Sequence, residues 1–210
     1  MLIDTSTDLR QQALVFDVRR VDAILMTHSH ADHVMGMDEV RRFNVLSGGA
    51  IPVYASAHTG VELRRMFQYA FEPPAQTGGG LPRVVLHEID GDFDVAGVGV
   101  RPVPLLHGAL PILGFRFGRF AYLTDASTIP DEAWALLEGL DVLMLNALRH
   151  RPHPTHFSLS EAVAVAERLG PRQTFFTHVC HDLPHAATNR SLPPGMALAH
   201  DGLRFAVEAG

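Results

Sequence analysis

The segment Thr27-His28-Ser29-His30-Ala31-Asp32-His33 constrains this chain more than any other. Three imidazoles and a carboxylate fall within six residues, directly behind the apolar run at 21–27 (VDAILMT) and ahead of a segment with helical character. Imidazole and carboxylate are the natural ligands of zinc, manganese and iron. A turn at a strand end can aim His28 and His30 at one ion and Asp32 and His33 at a second. The bland alternative is a solvated polar loop, but such a loop rarely packs this pattern directly behind an apolar run.

Three further candidates share one context. His107 closes the run VPLL, Asp125 follows FAYLT, and His178 follows TFFT. Ligands in layered α/β proteins gather at the carboxyl ends of strands. Taken singly, His107 and His178 read as ordinary loop histidines, and Asp125 as a cap for the residues after it. Taken with the first motif, they complete two coordination spheres: His28, His30 and His107 on one ion, Asp32, His33 and His178 on the other, with Asp125 bridging. Two such ions would stand about 3.5–4 Å apart. A water shared between them ionises near neutral pH and becomes the nucleophile, while the second ion stabilises an anionic transition state.

Composition narrows what such a centre would serve. With 210 residues, 47% of them hydrophobic, the chain is expected to form a single domain over 1–210. No apolar run approaches the roughly 20 residues of a membrane span, and the first residues do not read as a signal peptide. The single cysteine, Cys180, rules out an intrachain disulfide and suits a cytoplasmic setting. Lys and Arg total 17 against 23 Asp and Glu, a formal charge of −6. Proteins that grip long nucleic acid carry the opposite surplus, so a small substrate is favoured.

The rest of the chain mixes strand-like and helix-like segments. Strands are expected at 21–27, 51–55, 83–87, 99–106, 114–117, 120–124, 141–145 and 174–177. Capping boxes at Thr59–Glu62 and Ser158–Glu161 predict helices over 61–71 and 162–169, the second closed by Gly170 and Pro171. Pro130 stands where the first turn of a helix over 131–140 is expected. Another helix is expected after His33, through Asp38 to Phe43. The stretch 72–82 (EPPAQTGGGLP) reads as a surface loop.

The order THSHADH, a lone His107, LTD at 123–125 and FTH at 176–178 resembles the metallo-β-lactamase superfamily. The match is nearest to its branch containing phosphoribosyl 1,2-cyclic phosphate phosphodiesterase and tRNase Z. Further marks are GMDEVRRFN (36–44), LLHG (105–108), YLTDAS (122–127), HPTHFSLSEA (153–162), FTHVCHDLPH (176–185) and HDGL (200–203). The resemblance implies an α+β chain folded as an αββα sandwich. It implies a hydrolase acting on a small or cyclic phosphodiester through a metal-bridging hydroxide, with two divalent ions, Zn²⁺ first and Mn²⁺ or Fe²⁺ as alternatives. The candidate catalytic residues are Asp32, shared with the metal set, and His156, which would protonate the leaving oxygen. His150 and His153 read as bystanders. His181 and Arg41 are candidate contacts for a substrate phosphate, and Asp4 is expected to orient a metal ligand.

The resemblance has limits. Family members usually carry earlier strands, so the fold is expected to lack its usual N-terminal strands. The segment 1–5 would then form an open sheet edge, which a homodimer would cover. No cysteine cluster for a structural zinc and no long arm for tRNA is visible. Two other functions use the same features: hydrolysis of another ester, thioester or lactone on the same metal pair, and a non-catalytic binding protein of this fold.

Overall fold

The computed structural model describes residues 1–72 and 80–207. Most of the expected loop at 72–82 lies outside the described residues. The chain divides into two compact units, Met1–Gly97 and Val98–Gly210.

The first unit opens with β1 (Leu2–Ile3) and α1 (Leu9–Val15), followed by β2 (Ile24–Leu25). The strand expected over 21–27 is therefore much shorter. Met26 still donates its N–H to Tyr54 O, but the Thr27 N–H is taken by the Asp4 side chain, which ends the ladder. After His30 the chain makes three short pieces rather than one helix: α2 (Ala31–Val34), a 3₁₀ turn (Met37–Val40) and α3 (Arg41–Ser47). The break follows from Gly36, where an added Cβ would sit 2.0 Å from Ser6 O. The Gly36 N–H bonds to Thr5 O, and the Thr5 N–H bonds to His33 O. The segment after β1 is thus clipped to the histidine-rich loop by main-chain bonds on both sides.

Next come β3 (Ile51–Ala55), α4 (Ala57–Met66), α5 (Gln68–Phe71), β4 (Val84–Glu88) and β5 (Phe93–Val95). The cap of α4 is Ser56, not Thr59. Ser56 has extended backbone and accepts from the Thr59 N–H at 3.2 Å, so the helix starts four residues before the expected position. A second break at Phe67 separates α5. Strands β1 to β4 form a parallel sheet in that order, with β1 at an edge. Alternation along β3 buries Ile51, Val53 and Ala55, which join Leu9, Ile24, Met37, Phe43, Leu63 and Phe67 in one core. Because all four strands run the same way, Asp4 after β1 and His28 after β2 leave the sheet at the same edge.

The second unit begins with the hairpin β6 (Val98–His107) and β7 (Leu110–Phe117), then β8 (Phe120–Leu123), α6 (Asp131–Trp134), β9 (Val142–Asn146), α7 (Leu159–Leu169), β10 (Gln173–Thr177), α8 (His185–Ser191) and β11 (Met196–Leu198). The helix expected over 131–140 is only α6 and a 3₁₀ turn at Ala135–Leu137, and Pro130 is its cap rather than its first residue. The α7 capping box is present in full: Ser158 Oγ accepts from the Glu161 N–H, and the Glu161 carboxylate accepts from the Ser158 N–H. Gly170 closes this helix in the left-handed region. The sheet order is β11-β10-β9-β8-β7-β6. Strands β8 to β11 are mutually parallel, whereas β7 is antiparallel to both β6 and β8. Strand β6 therefore runs with β8, β9 and β10, and all four carboxyl ends share one edge. His107 ends β6, Asp125 lies two residues past β8, Asn146 ends β9, and His178 follows β10. A core of Val103, Leu105, Leu123, Leu143, Leu145, Ala162, Ala166, Phe176 and their neighbours holds that edge in place.

Candidate metal centre

In the first unit, Asp4 organises the histidines. Its buried carboxylate accepts the Thr27 N–H at 2.8 Å on Oδ1, and on Oδ2 the Thr27 hydroxyl at 2.8 Å and His33 Nδ1 at 2.7 Å. Burial pushes this carboxyl up, while the bonds from His33 and Thr27 pull it down. Donating its proton to Asp4 leaves Thr27 Oγ1 as an acceptor for His28 Nδ1 at 3.0 Å. One carboxylate thereby puts the protons of His28 and His33 on Nδ1 and leaves each Nε2 as the lone-pair nitrogen, the form a metal ligand needs. The His28 ring lies 4.6 Å from that of His30 and 4.2 Å from that of His33, and Asp32 Oδ2 is 3.4 Å from His33 Nε2. Asp4 thus bonds His33, one of the candidate ligands, directly, and reaches His28 through Thr27.

In the second unit, His107 Nδ1 faces two main-chain carbonyls, Asp125 O at 2.8 Å and Thr155 O at 2.7 Å. Both can only accept, so the proton is on Nδ1 and Nε2 again has the lone pair. The Asp125 carboxylate is 2% exposed. Its Oδ2 accepts the Thr124 hydroxyl at 2.6 Å, and its Oδ1 lies 3.0 Å from His178 Nε2 and 3.5 Å from His156 Nδ1. Next to it, the buried Asn146 side chain grips both the N–H and the C=O of Ala126. Asp4, Asp125 and His178 all have positive φ (59°, 57° and 52°). Left-handed backbone on non-glycine residues is held at a cost and concentrates at functional sites.

His156 joins this set. Its ring stacks on His178 at 4.8 Å, meets the His107 ring edge-on at 4.6 Å, and lies 5.1 Å from His153. Ligand-type atoms of His107, Asp125 and His156 all fall within 4.8 Å of one another, a set that could itself hold an ion. Burial lowers the His156 pKa to about 4, with Asp125 opposing and His178, His107 and His153 adding to the fall.

The two substrate-contact candidates occupy other surroundings. Arg41 opens α3 and pairs with Asp38 one turn earlier. The His181 side chain is 95% exposed and faces Asp182 at 3.5 Å. His153, read from sequence as a bystander, instead accepts the Thr155 N–H at 3.3 Å and sits beside His156. Sequence reasoning also passed over Thr27, Thr124 and Asn146. For the two threonines a signal was present: each directly precedes a candidate ligand, where its hydroxyl can bond that neighbour's side chain.

Comparison with known proteins shows the family. Residues 1–179 match the family described as the β-lactamase superfamily domain. A crystal structure described as a new diphosphatase from the PhnP family is 45% identical with a TM-score of 0.88, over 96% of this chain and 77% of that one. Human tRNase Z, short form, superimposes with a TM-score of 0.68 over 96% of this chain and 85% of that one; at 19% identity the likeness is one of fold. A protein named octanoyltransferase from Porphyromonas gingivalis (strain ATCC BAA-308 / W83) is 34% identical over 210 residues, 99% of this chain. The chain spans only 42% of that relative's length.

Proposed function

Because the chain belongs to the β-lactamase superfamily and is 45% identical to a PhnP-family structure, we propose that this metal-dependent-hydrolase domain cleaves a small or cyclic phosphodiester. The proposal joins the two residue sets into one centre: His28, His30, Asp32 and His33 with His107, Asp125 and His178. The donor types suit divalent ions, Zn²⁺ first and Mn²⁺ or Fe²⁺ as alternatives, and the fixed Nδ1–H tautomers of His28, His33 and His107 present the nitrogen a metal takes. When bound, such ions bring a water towards ionisation at neutral pH and neutralise phosphate charge.

The observation that carries the phosphodiester reading is His156, an extra histidine 3.5 Å from Asp125 and against the rings of His107 and His178. Hydrolysis of an alkyl phosphodiester expels an alkoxide, which needs a proton, whereas thioester cleavage expels a far less basic thiolate and makes a weaker demand. His156 is the side chain in this role. Its lowered pKa leaves it neutral at pH 7 without substrate, and a phosphate dianion or monoanion beside it favours the charged form. Asp32 serves both as ligand and in the catalytic group. Arg41 and His181 remain proposed phosphate contacts, reached by substrate at the surface.

The deciding measurement compares His156→Ala with the parent on a phosphodiester with an alkyl leaving group and on one with an activated aryl leaving group. Metal content should be retained. The rate on the alkyl substrate should fall roughly 10²–10⁴-fold, and that on the aryl substrate much less. Loss of an ion from His156→Ala would instead make His156 a ligand. An unchanged alkyl rate would remove it from the mechanism.

A second reading, an ester, thioester or lactone hydrolase on the same ions, draws on the 34% identity to a protein named for acyl transfer. Turnover of a thioester or lactone with no phosphodiester cleavage would favour it.

A further inference from the structure

The loop between β9 and α7 is closed by main-chain bonds at its base. The Leu148 N–H bonds to Phe157 O at 3.0 Å, and the Phe157 N–H bonds to Ala126 O at 2.8 Å. Phe157 is thus fixed on both its polar groups, directly after His156. The residue directly before His156 is Thr155, and it is fixed as well. Its carbonyl receives His107 Nδ1 at 2.7 Å, and its N–H is received by His153 Nδ1 at 3.3 Å, with Thr155 Oγ1 also 3.2 Å from that nitrogen. His156 is therefore suspended between two clamped peptides, and the peptide before them, Pro154–Thr155, is clamped by a side chain, His153.

The local sequence explains why a side chain is needed. Pro152 and Pro154 flank His153, so Thr155 offers the first main-chain N–H after His153 itself. A side-chain acceptor two residues before an N–H can replace the missing main-chain partner, as Asx side chains do in turns. The other side of Thr155 is closed too: a Cβ on Gly108 would come 2.9 Å from Thr155 Cγ2, so the loop rests directly on the turn that follows His107. Release of the Pro154–Thr155 peptide would free Thr155 to turn about its own φ and ψ, and so shift the carbonyl that bonds His107 and the His156 backbone after it.

We propose that His153 is a positioning residue: by accepting the Thr155 N–H it holds Thr155 in place, so that the Thr155 carbonyl stays on His107 Nδ1 and the His156 ring stays over His178. The proposal rests on the reading of His156 as proton donor. It assigns His153 no contact with substrate or ion. Its side chain acts as a hydrogen-bond acceptor, so another short acceptor at the same place does the same job. That separates His153→Asn, which retains an acceptor able to reach an N–H two residues on, from His153→Ala, which does not.

The test uses both variants in the full chain. Amide hydrogen exchange of Thr155 is read in the metal-free protein, and rates on alkyl and activated-aryl phosphodiesters are read in the zinc-loaded protein. Exchange at Thr155 should be at least tenfold faster in His153→Ala and close to the parent in His153→Asn. The alkyl rate should fall roughly 10–10²-fold in His153→Ala, as for a displaced catalytic group, with the aryl rate little changed and zinc retained. His153→Asn should recover most of the alkyl rate. Unchanged Thr155 exchange in His153→Ala overturns the proposal, and so does His153→Asn being as defective as His153→Ala. His156→Ala, measured alongside, tests the donor reading separately. If that variant keeps the alkyl rate, the donor reading fails, while the Thr155 exchange still decides whether His153 is the clamp.

Discussion

Changing Asp4 to Asn alters one atom and is expected to reverse a chain of hydrogen bonds. The parent carboxylate receives three donors: the Thr27 N–H, the Thr27 hydroxyl and His33 Nδ1–H. In Asp4→Asn the amide oxygen can retain the Thr27 N–H, but an NH₂ group then faces the Thr27 hydroxyl and His33. The hydroxyl must turn and donate to His28 Nδ1, 3.0 Å away, and His33 Nδ1 must accept. Both imidazoles then carry their proton on Nε2, the nitrogen assigned to the metal. Asn tolerates the positive φ of Asp4 (59°) and the bond count is preserved. The metal-free variant should therefore stay within about 1 kcal/mol of the parent in urea unfolding. Metal affinity should suffer. Loss of one orienting partner costs about 10–100-fold, and two ligands are affected here, so a loss of at least ~10²-fold, or about 2.7 kcal/mol, is expected. Asp4→Ala differs in kind, since three buried donors lose their acceptor. At about 1–3 kcal/mol each, with water entering the space, the metal-free fold should lose roughly 3 kcal/mol. Competitive chelator titration with Zn²⁺ gives the affinities, and ¹⁵N-histidine NMR of the metal-free variant reads the tautomers directly. Parent-like zinc affinity in Asp4→Asn, or unchanged His28 and His33 tautomers, would refute the reasoning.

Other perturbations test the frame around the site. Gly36→Ala would place a Cβ 2.0 Å from Ser6 O, a main-chain atom that cannot swing away; urea unfolding should show a loss at or above the ~1–3 kcal/mol usual for overpacking. Ser158→Ala removes the side-chain cap of α7 and half of its capping box, and should lower stability by about 1 kcal/mol in the same assay. The depressed pKa of His156, about 4 against an ordinary 6.5, means that the unfolded chain binds more protons between those values. Its contribution to stability is complete above about pH 6.5 and is lost as pH falls towards 4. Metal-free His156→Gln should accordingly lose less stability than the parent between pH 7 and 4.5, and equal losses would contradict the burial of a neutral His156.

How much was legible in the sequence varied with how local the cause was. The Ser158–Glu161 box predicted its helix because cap and acid lie within one turn, and the Thr59–Glu62 pattern misled because Ser56 already stood at the end of β3 with extended backbone. Strands with strong alternation, such as β3, were read to the residue. Strand β11 and helices α1 and α8 were not, since elements of three to seven residues are too short to show a period and take their order from packing rather than propensity.

By itself the sequence determined the chemistry on offer: a dense H-x-H-x-D-H turn and three more ligand-type residues closing apolar runs, with a negative balance of charge. Only the tertiary structure decided the state in which that chemistry is presented. Asp4 and His33 are 29 residues apart, and His107 and Thr155 are 48 apart, yet those bonds choose which ring nitrogen carries the proton. The parallel course of β6, β8, β9 and β10 brings His107, Asp125 and His178 to one edge, and the same edge brings His156 into their company. His153 is brought against Thr155 and His156 for the same reason. A hydrogen bond depends on distances of a few tenths of an ångström between atoms, and no pattern along a chain carries that information until the backbone has closed around it.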